Sequence, residues 1–465
     1  MGGYIEYIKK RYYFIFSKYF AFFAKYKINR KKTEVILVTG SWGKSTLVAM
    51  LDSILKCSES SRSFKILEHA NSSLGIPLAL LGLNSDKKGI LFWIKSLLLA
   101  PIKSIFGKGI NTDILIVEAD SDRNGELNIT NNLLKPDVVF ISGFGLTHTL
   151  NFEDKNRNGV ANNSSIDDGK NKRNHSISNL MNMKIINEFL TPIRNNENLK
   201  HGYINSNYKI KNELNNVYTF RFSDKLNDIK FLDHKITSRG TDYTFSFKGK
   251  EVVVTLPKQI LQIEFFTSIA LLYKFAIDRG IKNKKFIIAL KKAEFPSGRS
   301  SIFRGINSSV IIDSTYNSSY EPLISMLKLI DSFDRPKILI LGDMRELGIM
   351  EESEHRKIAR YISNHNYSSI FLTGEAMQKY VFPYLTDKKN LTNVRFFSST
   401  KDMHNYLIQT KFSDIQKNSI CLVKGSQNTI FLEVIVEDLL YNKLDTVKLC
   451  RQSSEFKNIK RKLLE

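Results

Sequence analysis

The stretch with the clearest chemical meaning is the glycine-rich loop Thr39-Gly-Ser-Trp-Gly-Lys-Ser-Thr46, which lies between a β-branched run and a helical pattern. Glycines let backbone N–H groups approach an anion closely, and the start of the following helix adds partial positive charge. Lys44 can reach the outer phosphates of a nucleotide, and the Ser45 hydroxyl can bind Mg²⁺. The alternative is a glycine-rich turn with an exposed lysine. We predict a nucleotide-phosphate site formed by Gly40, Ser41, Gly43, Lys44, Ser45 and Thr46.

Alternating strand and helix patterns surround this loop. Short apolar runs at Val35–Val38, Asp113–Val117 and Val138–Ile141 predict buried strands, and the alternation resumes after Pro296-Ser297-Gly298. The predicted fold class is therefore α/β, with a phosphate-loop ATPase domain on a parallel sheet followed by a Rossmann-like α/β domain. We predict a leader at residues 1–33, a central domain at 34–296 with a polar insertion at 151–176, and a second domain at 297–465.

Composition excludes several classes of protein. The chain has 465 residues, a length that allows about three domains. Hydrophobic residues make up 42% of it, which is enough to form packed cores and excludes general disorder. Its three cysteines lie far apart, which argues against a disulfide framework or a cysteine zinc site. The net charge of +23 is compatible with nucleic-acid binding, but the sequence contains no nucleic-acid-binding motif. We therefore expect no nucleic-acid partner.

Two segments could contact a membrane surface. The leader combines nine basic residues with an aromatic run from Tyr12 to Phe23, which fits either a helix on an anionic membrane surface through residues 4–32 or a helix docked on the protein body. Leu91–Phe106 is apolar but too short and interrupted to span a bilayer, which favours a packed helix or a surface-contact segment.

Five stretches, in order, resemble motifs of the Mur ligase family. L-G-D-M-x-E-L-G and D-x-x-Y-N are the most specific of them, and the likeness extends from about Val35 to Leu440. The stretches are Thr39–Ser45; Asn71–Leu78; Ile116–Ala119 with Gly125–Leu127, Pro136-Asp137 and Thr147-His148; Pro296–Arg299 with Ile312–Ser318; and Leu341–Gly348 with His355 and Val423–Ser426.

This resemblance implies an ATP-dependent carboxylate–amine ligase that acts through an acyl phosphate in peptidoglycan precursor synthesis. The implied cofactors are ATP and Mg²⁺, and the implied partners are an anionic cell-wall precursor carboxylate and an amine such as D-alanyl-D-alanine or another amino acid or dipeptide. The implied location is cytoplasmic, with peripheral contact at the inner membrane surface through the leader.

The resemblance also implies roles for individual residues. The catalytic set would be Lys44, Glu118, His148, Lys184 and Arg299, and the metal ligands would be Ser45, Glu118 and His148. The nucleotide would further contact Arg299, Asp313, Tyr316 and Asn317, and the substrates would contact Asn71, Asp343, Glu346, Lys424 and Ser426. Lys184 is the candidate carbamylated lysine, and the alternative is an ordinary lysine on the surface of a helix. For Tyr316, the alternative to a nucleotide contact is a buried position in the core.

The sequence also departs from the family pattern. Only 33 residues precede the first strand, so we expect the usual N-terminal UDP-sugar-binding domain to be absent. Ile260 and Glu264 replace the His and Asn that face adenine, and Gln427 replaces an Arg. Two alternatives therefore stay open: a ligase for another acidic polymer such as poly-γ-glutamate, and a nucleotide-binding scaffold without catalysis.

Overall fold

The chain folds into two compact units. The structure is a computed structural model. It describes residues 2–59, 61–67, 70–83, 89–144, 183–205, 216–220, 229–237, 240–345, 347–387, 393–426 and 430–465, with side chains described from residue 11 onward. The first unit comprises Met1–Lys230 and Thr267–Ala289, and the second comprises Phe231–Phe266 and Leu290–Glu465. The domain boundary expected near Pro296 stays a prediction, and the insertion at 151–176 lies outside the described residues.

The first part of the chain alternates strands and helices. Its elements are α1 (Gly2–Ala24), β1 (Glu34–Thr39), α2 (Lys44–Ser58), β2 (Phe64–Leu67), α3 (Gly75–Leu80), α4 (Ile90–Phe106), β3 (Ile114–Glu118), α5 (Glu126–Leu134), β4 (Val138–Ile141), α6 (183–194), β5 (His201–Asn205) and β6 (Val217–Phe220). The predicted strands and the helix after the loop are confirmed.

A six-stranded parallel sheet positions the phosphate loop. Its strand order is β2-β3-β1-β4-β5-β6. β1 lies between β3 and β4, with Val38 opposite Glu118 and Thr39 opposite Ile141. Ligands of open α/β sheets bind at the carboxyl ends of the strands. The chain segments that follow β3 and β4 therefore flank the loop that follows β1.

The second half of the chain continues with β7 (Ile229–Thr237), β8 (Gly240–Phe247), β9 (Lys250–Pro257), α7 (Phe266–Asp278) and α8 (Asn283–Lys291). It then forms β10 (Ser301–Arg304), β11 (Val310–Ser314), α9 (Tyr320–Asp331), β12 (Lys337–Gly342), α10 (Glu351–Ser363), β13 (Ser369–Thr373), α11 (Phe382–Thr386), β14 (Val394–Phe397), α12 (Thr400–Gln409), β15 (Ile420–Lys424), α13 (Glu433–Leu439) and α14 (Ser454–Leu464).

The second unit contains its own six-stranded sheet, with strand order β10-β11-β15-β12-β13-β14. Only β10 runs antiparallel within it, so the expected Rossmann-like α/β arrangement is confirmed. Ile311, Ile340 and Val423 are fully buried in its core. β11 and β15 are neighbours, which brings Ser314 and Lys424 into register at one edge of the sheet.

The leader forms α1, and this helix docks on the first unit. Phe20 and Ala24 are fully buried, while Ile15 and Phe22 are about half exposed at 52% and 54%. The helix therefore has one packed side and one exposed side. Among the described residues, no helix is both long enough and apolar enough to cross a membrane.

Candidate active site

The loop between β1 and α2 is shaped by two glycines. Gly40 has a φ of 131°, and a Cβ on it would lie 2.5 Å from Ser142 Oγ and 2.9 Å from the Gly143 carbonyl oxygen. Gly43 has a φ of 77° and immediately precedes α2. Both positions require glycine because other residues rarely adopt positive φ and no space exists for a side chain at Gly40. The loop thus presents backbone at a helix N-terminus, as a phosphate site requires.

Lys44 begins α2 and is buried, with 7% of its surface exposed. Its Nζ donates to the carbonyl oxygen of Gly40 at 2.7 Å and lies 3.0 Å from Asp120 Oδ2. This arrangement satisfies the buried ammonium inside the protein itself. A nucleotide phosphate that binds Lys44 would therefore have to compete with Asp120 for the cation.

Ser45 and Glu118 form the oxygen pair expected of a magnesium site. The Ser45 hydroxyl donates to Glu118 Oε1 at 2.9 Å. Hydroxyl and carboxylate oxygens are suitable ligands for Mg²⁺, which usually completes its shell with water and substrate phosphates. The pair fits that cation. In the ranges that the structure describes, no cluster of three His, Cys, Asp or Glu side chains could hold a metal alone.

The segment after β4 closes the other side of the loop. Ser41 N donates to the Gly143 carbonyl at 2.9 Å, and Trp42 Nε1 donates to the Phe144 carbonyl at 3.4 Å. The Trp42 ring covers Gly143 so closely that a Cβ there would lie 2.5 Å from it. Sequence reasoning missed this contact, although the Ser142-Gly143 pair directly after a buried strand is a signal of close backbone approach.

Buried carboxylates hold the segment that follows Glu118. Glu188 on α6 accepts from Ser121 Oγ at 2.9 Å and from the backbone N–H groups of Gly125 and Leu127, each at 2.8 Å. Glu126 accepts from Asp122 N at 2.9 Å, and burial raises its pKa. Sequence reasoning did not identify Glu188, and it gave no role to Glu126, which lies in the stretch Gly125–Leu127. They fix the backbone beside Glu118 rather than pointing at the phosphate loop.

The remaining predicted residues of the first unit have different positions. Asn71 is exposed, and its carbonyl accepts from Asp120 N at 2.6 Å, so it supports the segment that pairs with Lys44. Thr46 is buried within α2. Lys184 lies half-buried near the start of the described part of α6. His148 lies outside the described residues, so its predicted metal role stays a prediction.

In the second unit, the Arg299 guanidinium lies over the Tyr316 ring. The Arg299 guanidinium carbon lies 4.1 Å from the Tyr316 ring centroid, a cation–π distance. Arg299 Nε is buried and has no hydrogen-bond partner among the described residues. The predicted pair is therefore brought together, with one donor of the arginine left for another group.

Asp313 is fully buried at the end of β11. Its Oδ1 accepts from Thr315 N at 3.1 Å and from Thr315 Oγ1 at 2.7 Å, while Oδ2 has no hydrogen-bond partner in the described structure. Burial raises the pKa of Asp313 to about 6. An unsatisfied buried carboxylate oxygen is costly, so it marks a place where a polar ligand would be stabilised.

Lys424 is buried at the end of the neighbouring strand β15. Its Nζ donates to Ser314 Oγ at 3.2 Å and to the Asn317 carbonyl at 2.9 Å. Burial, together with the nearby Arg299 charge, lowers the pKa of Lys424 to about 7. The structure thus gathers Arg299, Asp313, Tyr316, Asn317 and Lys424 into one polar cluster of the second unit.

A buried ion pair that sequence reasoning missed supports this cluster. Arg451 lies 2.7 Å from both carboxylate oxygens of Glu433, and it also donates to the Thr315 carbonyl at 2.8 Å. Such a two-point pair fixes geometry as well as charge. It therefore holds the backbone of Thr315 and Tyr316 in place.

Asp343 and Ser426 connect loops of the second unit. Asp343 Oδ1 accepts from Met377 N at 2.8 Å, and its carbonyl accepts from Ser426 N at 3.1 Å. Ser426 Oγ donates to the Ser318 carbonyl at 3.3 Å and accepts from Arg345 N at 3.1 Å. These contacts give both residues a positioning role. Glu346 and Gln427 lie outside the described residues.

His355 supports the same loop. Its Nε2 accepts from Met344 N at 3.1 Å, and its Nδ1 lies 2.7 Å from the Glu351 carbonyl. Burial lowers the His355 pKa. The ring is therefore neutral, with its proton on Nδ1.

The two residues that depart from the adenine-side motif lie near the β7–β9 sheet. Ile260 is buried, and its N–H donates to the Ser300 carbonyl at 3.0 Å. Glu264 is exposed. Burial of Tyr243 raises its pKa, and the nearby negative charge of Glu264 raises it further. Ile260 thus has a core position, and Glu264 keeps a carboxylate at the surface.

Comparison with known proteins reveals extended similarity. The chain is 26% identical over 415 residues to UDP-N-acetylmuramoyl-tripeptide--D-alanyl-D-alanine ligase of Buchnera aphidicola, covering 88% of this chain and 78% of the relative. A crystal structure of MurF from Acinetobacter baumannii matches with a TM-score of 0.66 at 17% identity, covering 92% and 80% of the two chains. MurF ligase from Thermotoga maritima in complex with ADP matches with a TM-score of 0.63 at 17% identity, covering 95% and 84%. No protein-family model matches the chain.

The sequence similarity to named ligases along most of the chain identifies an ATP-dependent ligase. Solved structures of MurF ligases share its fold, and its sequence is similar to ligases of the Mur type. The resemblance that the motifs carried is thereby confirmed, and so is ATP use.

Proposed function

We propose that this ligase joins the carboxyl group of a UDP-muramoyl tripeptide to the amine of D-alanyl-D-alanine in peptidoglycan precursor synthesis. The names of the similar ligases, which state this substrate pair, support the proposal. The observation that carries the proposal is the arrangement of Lys44, Ser45 and Glu118 at the loop, because it provides one cation for a nucleotide phosphate and two oxygen ligands for Mg²⁺.

The proposed reaction has two bond exchanges. An oxygen of the substrate carboxylate attacks the γ-phosphorus of ATP, and the bond from that phosphorus to ADP breaks. The amine nitrogen then attacks the carbonyl carbon of the acyl phosphate, the bond to phosphate breaks, and the nitrogen loses a proton. Negative charge gathers around the transferred phosphoryl group in the first exchange, so catalysis depends mainly on positioning and cations.

The residues of the first unit meet that need. Lys44 and the loop N–H groups would bind the outer phosphates, and Lys44 would leave Asp120 to do so. Ser45 and Glu118 would hold Mg²⁺, which neutralises phosphate charge when bound. We keep His148 and a carbamylated Lys184 as proposed members of the same metal region.

The second-unit cluster offers binding groups for anions. Arg299 is a cationic donor, Lys424 is a donor that carries positive charge below its pKa of about 7, and Asp313 can accept from a ribose hydroxyl or a bound water through Oδ2. We assign Arg299, Asp313, Tyr316 and Asn317 to the nucleotide, and Lys424 to the carboxylate of the incoming amine substrate. Asp343 and Ser426 position the loops beside this cluster through backbone contacts. In the first unit, Asn71 positions Asp120 beside Lys44.

We further assign the enzyme to the cytoplasm, with peripheral contact at the anionic inner membrane surface through residues 4–32. The exposed side of α1 supports that contact, because basic Lys18 and Lys25 lie among exposed aromatic residues.

Phosphate release tests the substrate assignment. The purified chain is incubated with ATP, Mg²⁺, UDP-muramoyl tripeptide and D-alanyl-D-alanine, and parallel reactions replace the dipeptide or the tripeptide with glutamate. We expect phosphate release only when both proposed substrates are present. Release driven by glutamate alone would instead identify a polyglutamate ligase, and no release with any pair would support a scaffold without catalysis.

A further inference from the structure

Two helices of the first unit, α1 and α4, pack side by side and run parallel. Phe16 contacts Trp93 with ring centroids 6.0 Å apart, Tyr19 OH donates to the Leu97 carbonyl at 2.8 Å, and Ser104 Oγ donates to the Phe23 carbonyl at 2.9 Å. The contacts advance along both helices in the same direction, which fixes their relative orientation.

A proline explains one of these contacts. Pro101 lies inside α4, and proline has no backbone N–H to donate to the carbonyl four residues earlier. That carbonyl belongs to Leu97, and it accepts from Tyr19 OH of α1 instead. The hydrogen bond therefore satisfies the group that Pro101 leaves without a helical donor and ties the two helices together.

Each helix exposes an apolar stripe. On α4, the exposed side chains recur with helical spacing, and Leu91 and Phe106 are 82% and 83% exposed. The exposed large apolar residues of the pair are Ile90, Leu91, Ile94, Leu98, Ile102, Ile105 and Phe106 on α4, and Tyr12, Ile15 and Phe22 on α1, with Tyr26 just beyond. Contiguous apolar patches of this extent mark interaction sites on soluble proteins.

The two stripes face the same side of the helix pair. On α1, the exposed Ile15 and Phe22 each precede a contact residue by one position. On α4, the exposed Ile94 and Leu98 each follow a contact residue by one position. One residue turns a right-handed helix by about 100°. In a parallel pair, the residue before a contact residue on one helix and the residue after a contact residue on the other helix therefore lie on the same side of the pair.

The charge of this surface is uniformly positive. No Asp or Glu occurs between Tyr12 and Thr33 or between Lys87 and Thr112 in the sequence. Exposed Lys18 lies on α1, exposed Lys95 lies on α4, and exposed Lys25 directly follows α1. Cationic side chains bordering an apolar stripe are typical of helices that lie in the interface of an anionic bilayer.

We propose that the α1–α4 surface, defined by these exposed residues, binds a bilayer containing anionic phospholipid. The apolar stripes enter the headgroup boundary while the lysines contact lipid phosphates, with both helices lying in the plane of the interface. α4 has 17 residues and is about 25 Å long, and no described helix meets the requirements of a span. The proposal gives the peripheral contact of residues 4–32 a second helix, and it does not depend on ligase activity.

Vesicle flotation tests the proposal with the full chain. Vesicles of equal parts phosphatidylglycerol and phosphatidylcholine are compared with vesicles of phosphatidylcholine alone. We expect the wild type to float with the anionic vesicles only, and high salt to weaken the binding. Leu91→Asp should reduce the bound fraction at least about tenfold, because it places a carboxylate in the apolar stripe. The matched control is Leu444→Asp, since Leu444 in the second unit is 81% exposed, almost as much as Leu91.

Tryptophan quenching locates the contact. The chain has two tryptophans, and Trp93 lies on α4. Brominated phosphatidylglycerol should quench the wild type and leave Trp93→Phe unquenched. ATP turnover without lipid, measured for each variant, separates this proposal from that of the ligase. The proposal is overturned if the wild type does not float with anionic vesicles, if Leu91→Asp and Leu444→Asp behave alike, or if Leu91→Asp only abolishes a dimer of the chain.

Discussion

The ion pair between Lys44 and Asp120 predicts that removal of the Asp120 charge strengthens nucleotide binding, because a phosphate bound by Lys44 would have to replace Asp120. In the structure, Lys44 Nζ lies 3.0 Å from Asp120 Oδ2, and the two side chains are only 9% and 19% exposed. Asp120→Asn keeps an oxygen for the hydrogen bond that Asp120 Oδ1 accepts from Ser121 N. The substitution thus changes charge while preserving local geometry.

The size of the effect follows from the distance. Two unit charges 3.0 Å apart attract by about 5 kcal/mol at an effective dielectric constant of about 20. Desolvation of both groups offsets most of this energy, and neighbouring pairs typically couple by about 0.5–3 kcal/mol. In Asp120→Asn no ion pair has to be broken before Lys44 binds a phosphate, so the energy of this coupling is added to nucleotide binding. We therefore expect ADP to bind Asp120→Asn about tenfold more tightly, equivalent to about 1.4 kcal/mol.

Isothermal titration calorimetry with ADP in EDTA measures this change without interference from Mg²⁺. Asp52→Asn is the matched control, because Asp52 lies in α2, the helix that Lys44 begins, and pairs with Lys56 at 2.6 Å. It removes the same charge without touching Lys44. Weaker ADP binding by Asp120→Asn, or the same change in both variants, would refute the exchange of partners by Lys44.

Three further predictions concern the same two regions. Lys44→Met should reduce ATP turnover by about 100-fold or more, because a cation at the transferred phosphate is lost, while the melting curve keeps its shape. Lys424 has its pKa lowered to about 7, so between about pH 7 and 10.5 the unfolded chain binds a proton that the native chain does not. Wild type should therefore gain about 1.4 kcal/mol of unfolding free energy per pH unit relative to Lys424→Met in this window, measured by denaturant titration; a difference independent of pH would contradict the lowered pKa. Gly143→Ala should weaken ADP binding, because the added Cβ would lie 2.5 Å from the Trp42 ring, whereas Gly109→Ala meets nothing closer than 3.4 Å and should bind normally.

Local sequence patterns were sufficient for much of the fold and for the phosphate loop. A short apolar run forms a strand wherever it can be buried on both faces, and this holds for Val35–Val38 and for Val138–Ile141. Gly40 and Gly43 have the positive φ values that their place in the loop required. Spacing within a few residues therefore carried the Ser45 and Lys44 assignments.

Contacts between distant parts of the chain were beyond such patterns. Glu188 lies more than 60 residues from the backbone groups that it accepts from, and Arg451 lies 18 residues from Glu433. Nothing in the local sequence distinguishes these side chains from exposed ones. The apolar segment 91–106 fitted both a packed and a surface helix, and only its neighbours determine which of its faces is exposed.

Oxygen transfer tests whether the chain activates a carboxylate as an acyl phosphate. A UDP-muramoyl tripeptide labelled with ¹⁸O in its reacting carboxylate is incubated with ATP, Mg²⁺ and D-alanyl-D-alanine, and the released phosphate is analysed by mass spectrometry. We expect one ¹⁸O atom in each phosphate for each amide formed, because the bridging oxygen of the acyl phosphate leaves with phosphorus. Unlabelled phosphate, or phosphate released without amide formation, would contradict it.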